Sequence, residues 1–171
     1  MRRLPNTLMI LALLAVTSAC VPPSPDTSAD AAALKANGHV WFDRYNSGDA
    51  DGVTALYASD AVLLPAGAPM ASGHTAIREY LTGDIERSRA SGLSFKANDV
   101  TDGGVDGGTG WISGTFSVVD GSGIAVDTGK YLTLYQRAEG EWVIVRDIWN
   151  SDNPPAPPMP DIPPDEPALA Q

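Results

Sequence analysis

Residues 111–150 read WISGTFSVVDGSGIAVDTGKYLTLYQRAEGEWVIVRDIWN. Three runs rich in β-branched, aromatic and aliphatic residues, Trp111–Val119, Ile124–Arg137 and Trp142–Asn150, are separated by DGSG at 120–123 and by a short break around Glu139-Gly140. Runs of that composition bounded by Asp, Gly and Ser predict strands joined by tight turns, since glycine supplies the positive φ such turns need. A fourth strand, Leu93–Val100, leads into the glycine-rich DGGVDGGTG at 102–110. Neighbouring strands joined so closely pair antiparallel.

Upstream the periodicity changes. Asp30–Asn46 places Leu34, Trp41 and Tyr45 near one stripe of a first helix, and Ser47-Gly48 breaks it. Asp49 is placed to cap a shorter second helix running through Tyr57, because its carboxylate can accept the free amides of the first turn. Ala61–Leu64 reads as a short strand and Pro65–Ser72 as a loop. Gly73–Arg89 carries a third helix, with Ile77, Tyr80, Leu81 and Ile85 at helical spacing. Helices first and antiparallel strands after define an α+β domain rather than a wound parallel sheet.

The ends are of another kind. Arg2 and Arg3 precede the apolar run Leu8–Val16, and Thr17-Ser18-Ala19 lead to Cys20, which is the charged, apolar and small-residue order of a secretory signal. The run has nine residues, against about 20 for a membrane-spanning helix. Cys20 is the only cysteine, so no internal disulfide can form. VTSAC resembles the lipobox of bacterial lipoproteins, which implies a leader over 1–19, a lipidated Cys20 and a tether over 20–29. Val21 in place of aspartate implies the outer membrane, facing the periplasm; free secretion after ordinary cleavage is the alternative. Residues 154–171 hold eight of the fourteen prolines and no basic residue, so 152–171 is expected to be an extended tail. Loss of Arg2 and Arg3 with the leader takes the net charge from −10 to −12. So acidic a chain does not bind nucleic acid, and it meets a membrane only through its lipid.

FDRYNSGDADGVTALYASDAVLLPAGAPMASGHTAIREYL at 42–81 and DTGKYLTLYQRAEGEWVIVRDIWNSDNP at 127–154 together resemble the ketosteroid isomerase-like, or nuclear transport factor 2-like, superfamily and its SnoaL-like branch. The resemblance covers 30–151. It implies a curved antiparallel sheet wrapped by three helices into a cone, a small hydrophobic ligand within, and dimerisation through the sheet. The isomerases of that superfamily use a carboxylate base, a tyrosine and a protonated acid. Carried over, those roles fall near Leu64 or Pro65, Trp41 and Leu132, none of which has the needed side-chain proton chemistry.

By the same resemblance Leu132 and Trp149 face the cone, and alternation along the strands would bring Lys130 and Asp147 there too. Lys130 and Asp147 are therefore the candidate catalytic pair, the alternative being a structural ion pair that fixes strand register. Trp41, Tyr45, Leu64, Leu132 and Trp149 are the candidate pocket lining, and His74 the candidate histidine above it, while Tyr57 reads as plain core. Asp99, Asp102 and Asp106 match no calcium-loop spacing, and no phosphate-binding glycine loop is present. Neither a metal nor a cofactor is expected.

Overall fold

A computed structural model describes residues 26–153; the expected leader over 1–19, Cys20 and the proline-rich segment 154–171 lie outside the described residues. The chain runs α1 (Ser28–Ser47), α2 (Ala50–Thr54), β1 (Tyr57–Leu64), β2 (Ala71–Ser72), α3 (Gly73–Ala90), β3 (Ser94–Asp106), β4 (Thr109–Val119), β5 (Ala125–Ala138) and β6 (Glu141–Ser151). The architecture is α+β: three helices cover one face of an open, curved six-stranded sheet of order β2-β1-β6-β5-β4-β3.

Local chemistry sets the joints. Gly48 adopts φ 88°, and the amides of Gly48 and Asp49 close back on the carbonyls of Tyr45 and Arg44, ending α1 in a left-handed cap. Asp49 then caps α2, its Oδ1 accepting the Gly52 amide at 2.8 Å. The β5–β6 hairpin turns on Glu139 (φ 52°) and Gly140 (φ 93°), the paired positive φ of a two-residue turn whose twist matches the strands it joins. In the β4–β5 turn a single carboxylate oxygen of Asp120 accepts the amides of Ser122 and Ile124 and the Ser122 hydroxyl.

Two expectations are corrected. The second helix ends at Thr54, not Tyr57, because the Leu56 carbonyl already accepts the Ile144 amide at 2.8 Å and the chain is drawn into the sheet from there. The sheet is also mixed rather than wholly antiparallel. β3 to β6 form an antiparallel meander, but β1 joins β6 in parallel, with Leu63 opposite Asp147. Alternation shows that a segment is a strand but not which distant strand it will meet or in what direction.

The core fills the space between helices and sheet. Leu34 of α1, Val53 of α2, Ile77 and Leu81 of α3, and Leu63 of β1 are fully buried, closed below by Tyr135 and Ile144. Where the sheet bends, its register slips: Tyr135 faces Ile144 while Leu134 faces Arg146, leaving Val145 as an extra residue. That bulge resets which side chains of β6 look inward.

Candidate functional site

Ahead of the bulge Trp142 and Ile144 point into the core; beyond it Asp147 and Trp149 do. On β5 the inward set is Gly129, Tyr131, Thr133 and Tyr135. Between these strands and α1 lies a narrow cavity, open at one mouth. Aromatic rings make most of its wall. Trp41 stacks on Tyr45 at 5.1 Å between centroids and meets Trp149 edge-on at 6.1 Å, and Phe42 meets Tyr131 at the same separation.

Gly129 makes this wall possible. A Cβ there would lie 2.2 Å from the Phe116 ring and 2.5 Å from the Asn150 carbonyl oxygen, so the ring occupies the space a side chain would need.

At the inner end sits Asp147, 5 % exposed. Its Oδ2 accepts the Tyr57 hydroxyl at 2.6 Å and its Oδ1 the Thr133 hydroxyl at 2.9 Å. Tyr57 in turn accepts the Trp41 indole N–H at 2.9 Å. The chain Trp41–Tyr57–Asp147–Thr133 thus links a helix to three strands through neutral donors. Burial pushes the Asp147 carboxyl up to about 6, against the pull of those hydrogen bonds, and the same burial raises Tyr57 and Tyr135. A carboxyl poised there exchanges its proton near neutral pH, which a general acid or base requires.

A second carboxylate, Asp84 of α3, borders the same cavity and accepts the Tyr45 hydroxyl at 2.6 Å. Its other oxygen takes Arg87 at 2.9 Å, an exposed pair.

Of the residues expected in the cone, Trp41, Tyr45, Asp147 and Trp149 come together there. Lys130, Leu132, Leu64 and His74 do not. Lys130 projects from the outer face and binds Asp152 at 2.6 Å, so no Lys130–Asp147 pair exists. Leu132, 47 % exposed, shares that outer face. The phase that the resemblance implies for β5 is one residue out: Gly129, Tyr131, Thr133 and Tyr135 face inward, and Lys130 and Leu132 face outward. Leu64 is half-buried and its neighbour Leu63 takes the inward position. His74 is exposed at the start of α3, its Nε2 2.7 Å from the Tyr57 carbonyl oxygen, in a shallow depression with Asp51, Thr54 and Arg78. Two residues were missed. Tyr57 reads as core from sequence and is the main partner of Asp147. Thr133 carries no signal beyond being polar at an every-other position among apolar ones.

Residues 39–145 match the SnoaL-like domain family, and the chain belongs to it. No curated protein matches the sequence. Among solved structures, the chain is similar to a nuclear transport factor 2-like protein with a cystatin-like fold from Novosphingobium aromaticivorans, at 21 % identity over 70 % of this chain and 79 % of that one, with TM-score 0.63. It is also similar to a protein of unknown function from Mycobacterium tuberculosis, at 18 % identity over 78 % of each chain, with TM-score 0.65. A ketosteroid isomerase-like protein from Erwinia carotovora atroseptica aligns at 17 % identity over 74 % of this chain and 99 % of that one, with TM-score 0.58. At these identities the likeness is one of fold. Domains of this class bind small hydrophobic ligands, and some are isomerases.

Proposed function

We propose that the chain is an exported lipoprotein whose domain holds a small hydrophobic molecule in the aromatic cavity and works on it through Asp147 as acid or base. The observation that carries this reading is Asp147 itself: a carboxyl buried against an aromatic cavity, held at about 6 and oriented by Tyr57 and Thr133. Among the described residues its partners are all neutral donors and no cation meets it, so its charge is left uncompensated. The test is native mass spectrometry of protein purified without denaturant. A bound small-molecule mass is expected in the wild type and is lost in Trp149→Ala; repeated preparations of bare protein would count against the reading.

The location half of the proposal rests on Cys20 and the segment before it. Intact-mass analysis of the membrane fraction should find an N-terminus at Cys20 carrying acyl chains, and Cys20→Ala should release the domain from membranes. A soluble wild-type protein cut elsewhere would leave the free-secretion alternative.

The outer face of the sheet supports a homodimer. Leu132 and Ile148 are cross-strand partners there, 47 % and 43 % exposed, and Leu64 of β1 lies beside Ile148. A dimer covering that row should be split by Leu132→Asp, read as a halved mass by light scattering with the fold unchanged. A wild-type monomer at high concentration would exclude it.

A further inference from the structure

The charge balance of the cavity says more about its occupant than its size does. Thirteen described residues line it: eight are aromatic, two are aspartates, and none is basic. Of the two aspartates, Asp84 is already balanced, with Arg87 on one oxygen and the Tyr45 hydroxyl on the other. Asp147 is not. It is hydrogen-bonded by Tyr57 and Thr133, with a further contribution from the Ile148 amide, all of them neutral. The nearby Lys130 on β5 spends its ammonium on Asp152.

A buried carboxylate with neutral donors alone is costly, and the cost is relieved by bringing in a positive charge. The surrounding wall suits that charge as well. Indole, phenol and phenyl rings present electron-rich faces that attract a cation, indole most strongly. Trp41 and Trp149 border the same space as Asp147, and a chain of net charge −10 draws cations toward it.

We infer that the cavity selects an organic cation, a small amine whose ammonium group lies against Asp147 while its hydrocarbon part packs among the rings. The inference rests on the ligand-binding reading above and narrows it to a chemical class. It assigns the carboxylate a partner that no residue of the described chain supplies, and it sets amines apart from neutral carbonyl compounds of the same shape.

The test titrates the full chain with four matched probes: 2-phenylethylammonium, 2-phenylethanol, acetophenone and phenylacetate. Binding is followed by tryptophan emission, since Trp41 and Trp149 face the cavity, and checked by calorimetry at pH 7.5. The cation should bind about tenfold more tightly than either neutral probe, and phenylacetate should not bind. Asp147→Asn should abolish the preference, bringing the cation down to the level at which the variant binds 2-phenylethanol. Neutral probes binding as well as the cation would overturn the charge selection and leave the aromatic pocket standing. No binding by any probe at millimolar concentration would overturn both.

Discussion

At pH 8 the Asp147→Asn protein should be more stable than the wild type by about 3 kcal/mol, and at pH 4 the difference should nearly vanish. The direction is opposite to the usual effect of losing a native carboxylate. Asp147 is held at about 6 in the folded chain, against an ordinary 3.8. Between those values the folded protein keeps a proton that the unfolded chain has lost, so raising the pH through that window favours unfolding. The penalty is absent below 3.8, grows to its full value above 6, and is about 1.4 kcal/mol for each unit between the two. Asparagine carries no charge to bury, and its amide can serve the same neighbours: Oδ1 accepts the Tyr57 hydroxyl while Nδ2 donates to Thr133. Other carboxylates slope the other way. Ion pairing or hydrogen bonding lowers Asp30, Asp51, Asp120 and Asp152, which makes the whole protein weaker in acid. Urea unfolding of both proteins at several pH values therefore isolates Asp147 in the difference. A variant that is less stable than the wild type at pH 8 would mean that the hydrogen bonds outweigh burial and that the carboxylate is content as an ion. The expected gain, together with loss of binding, is what a functional group retained at the expense of stability would give.

The sequence makes the fold legible where local chemistry decides it. Gly48 and Asp49 mark the α1–α2 joint, Asp120 and Gly140 mark two hairpins, and the helix stripe carrying Trp41 and Tyr45 does face the sheet. Asp147 and Trp149 share a face beyond the bulge, as alternation along β6 implies. What could not be read is phase. β5 alternates aliphatic with aromatic or threonine, so either face passes as the inner one, and Lys130 and Leu132 lie on the outer face against expectation. The decision is made by tertiary packing: the missing side chain at Gly129 leaves space for Phe116, and Tyr135 rather than Leu134 is fully buried in the core. The Val145 bulge is equally silent in sequence, because nothing in Val143-Ile144-Val145 distinguishes a regular strand from one with an added residue. Tyr57 was hidden for a third reason. Its hydroxyl matters only because β1 lies parallel beside β6, a pairing 90 residues away in the chain.

Leu63→Ala should cost about 2–5 kcal/mol, and by a smaller amount at pH 8 than at pH 4. Leu63 is fully buried on β1 and lies directly opposite Asp147 across the parallel pairing, with both side chains turned inward. Truncation to alanine leaves a void that the stiff strands on either side close only in part, so the whole loss appears at pH 4, where Asp147 is protonated and indifferent to water. At pH 8 the same void adjoins an ion. Water entering it hydrates the carboxylate and brings its pKa back toward 3.8, which returns about 1 kcal/mol or more of the ionisation penalty. The neighbouring Leu64→Ala, on the opposite face and half-buried, should cost about 1 kcal/mol at either pH. Urea unfolding of the two variants at both pH values separates the effects. Equal losses for Leu63→Ala at pH 4 and pH 8 would show that the void stays dry or that Asp147 is not strained by its burial. Only in the second case would the acid–base role proposed for Asp147 lose its physical ground, and the pH 8 comparison of Asp147→Asn with the wild type tells the two apart.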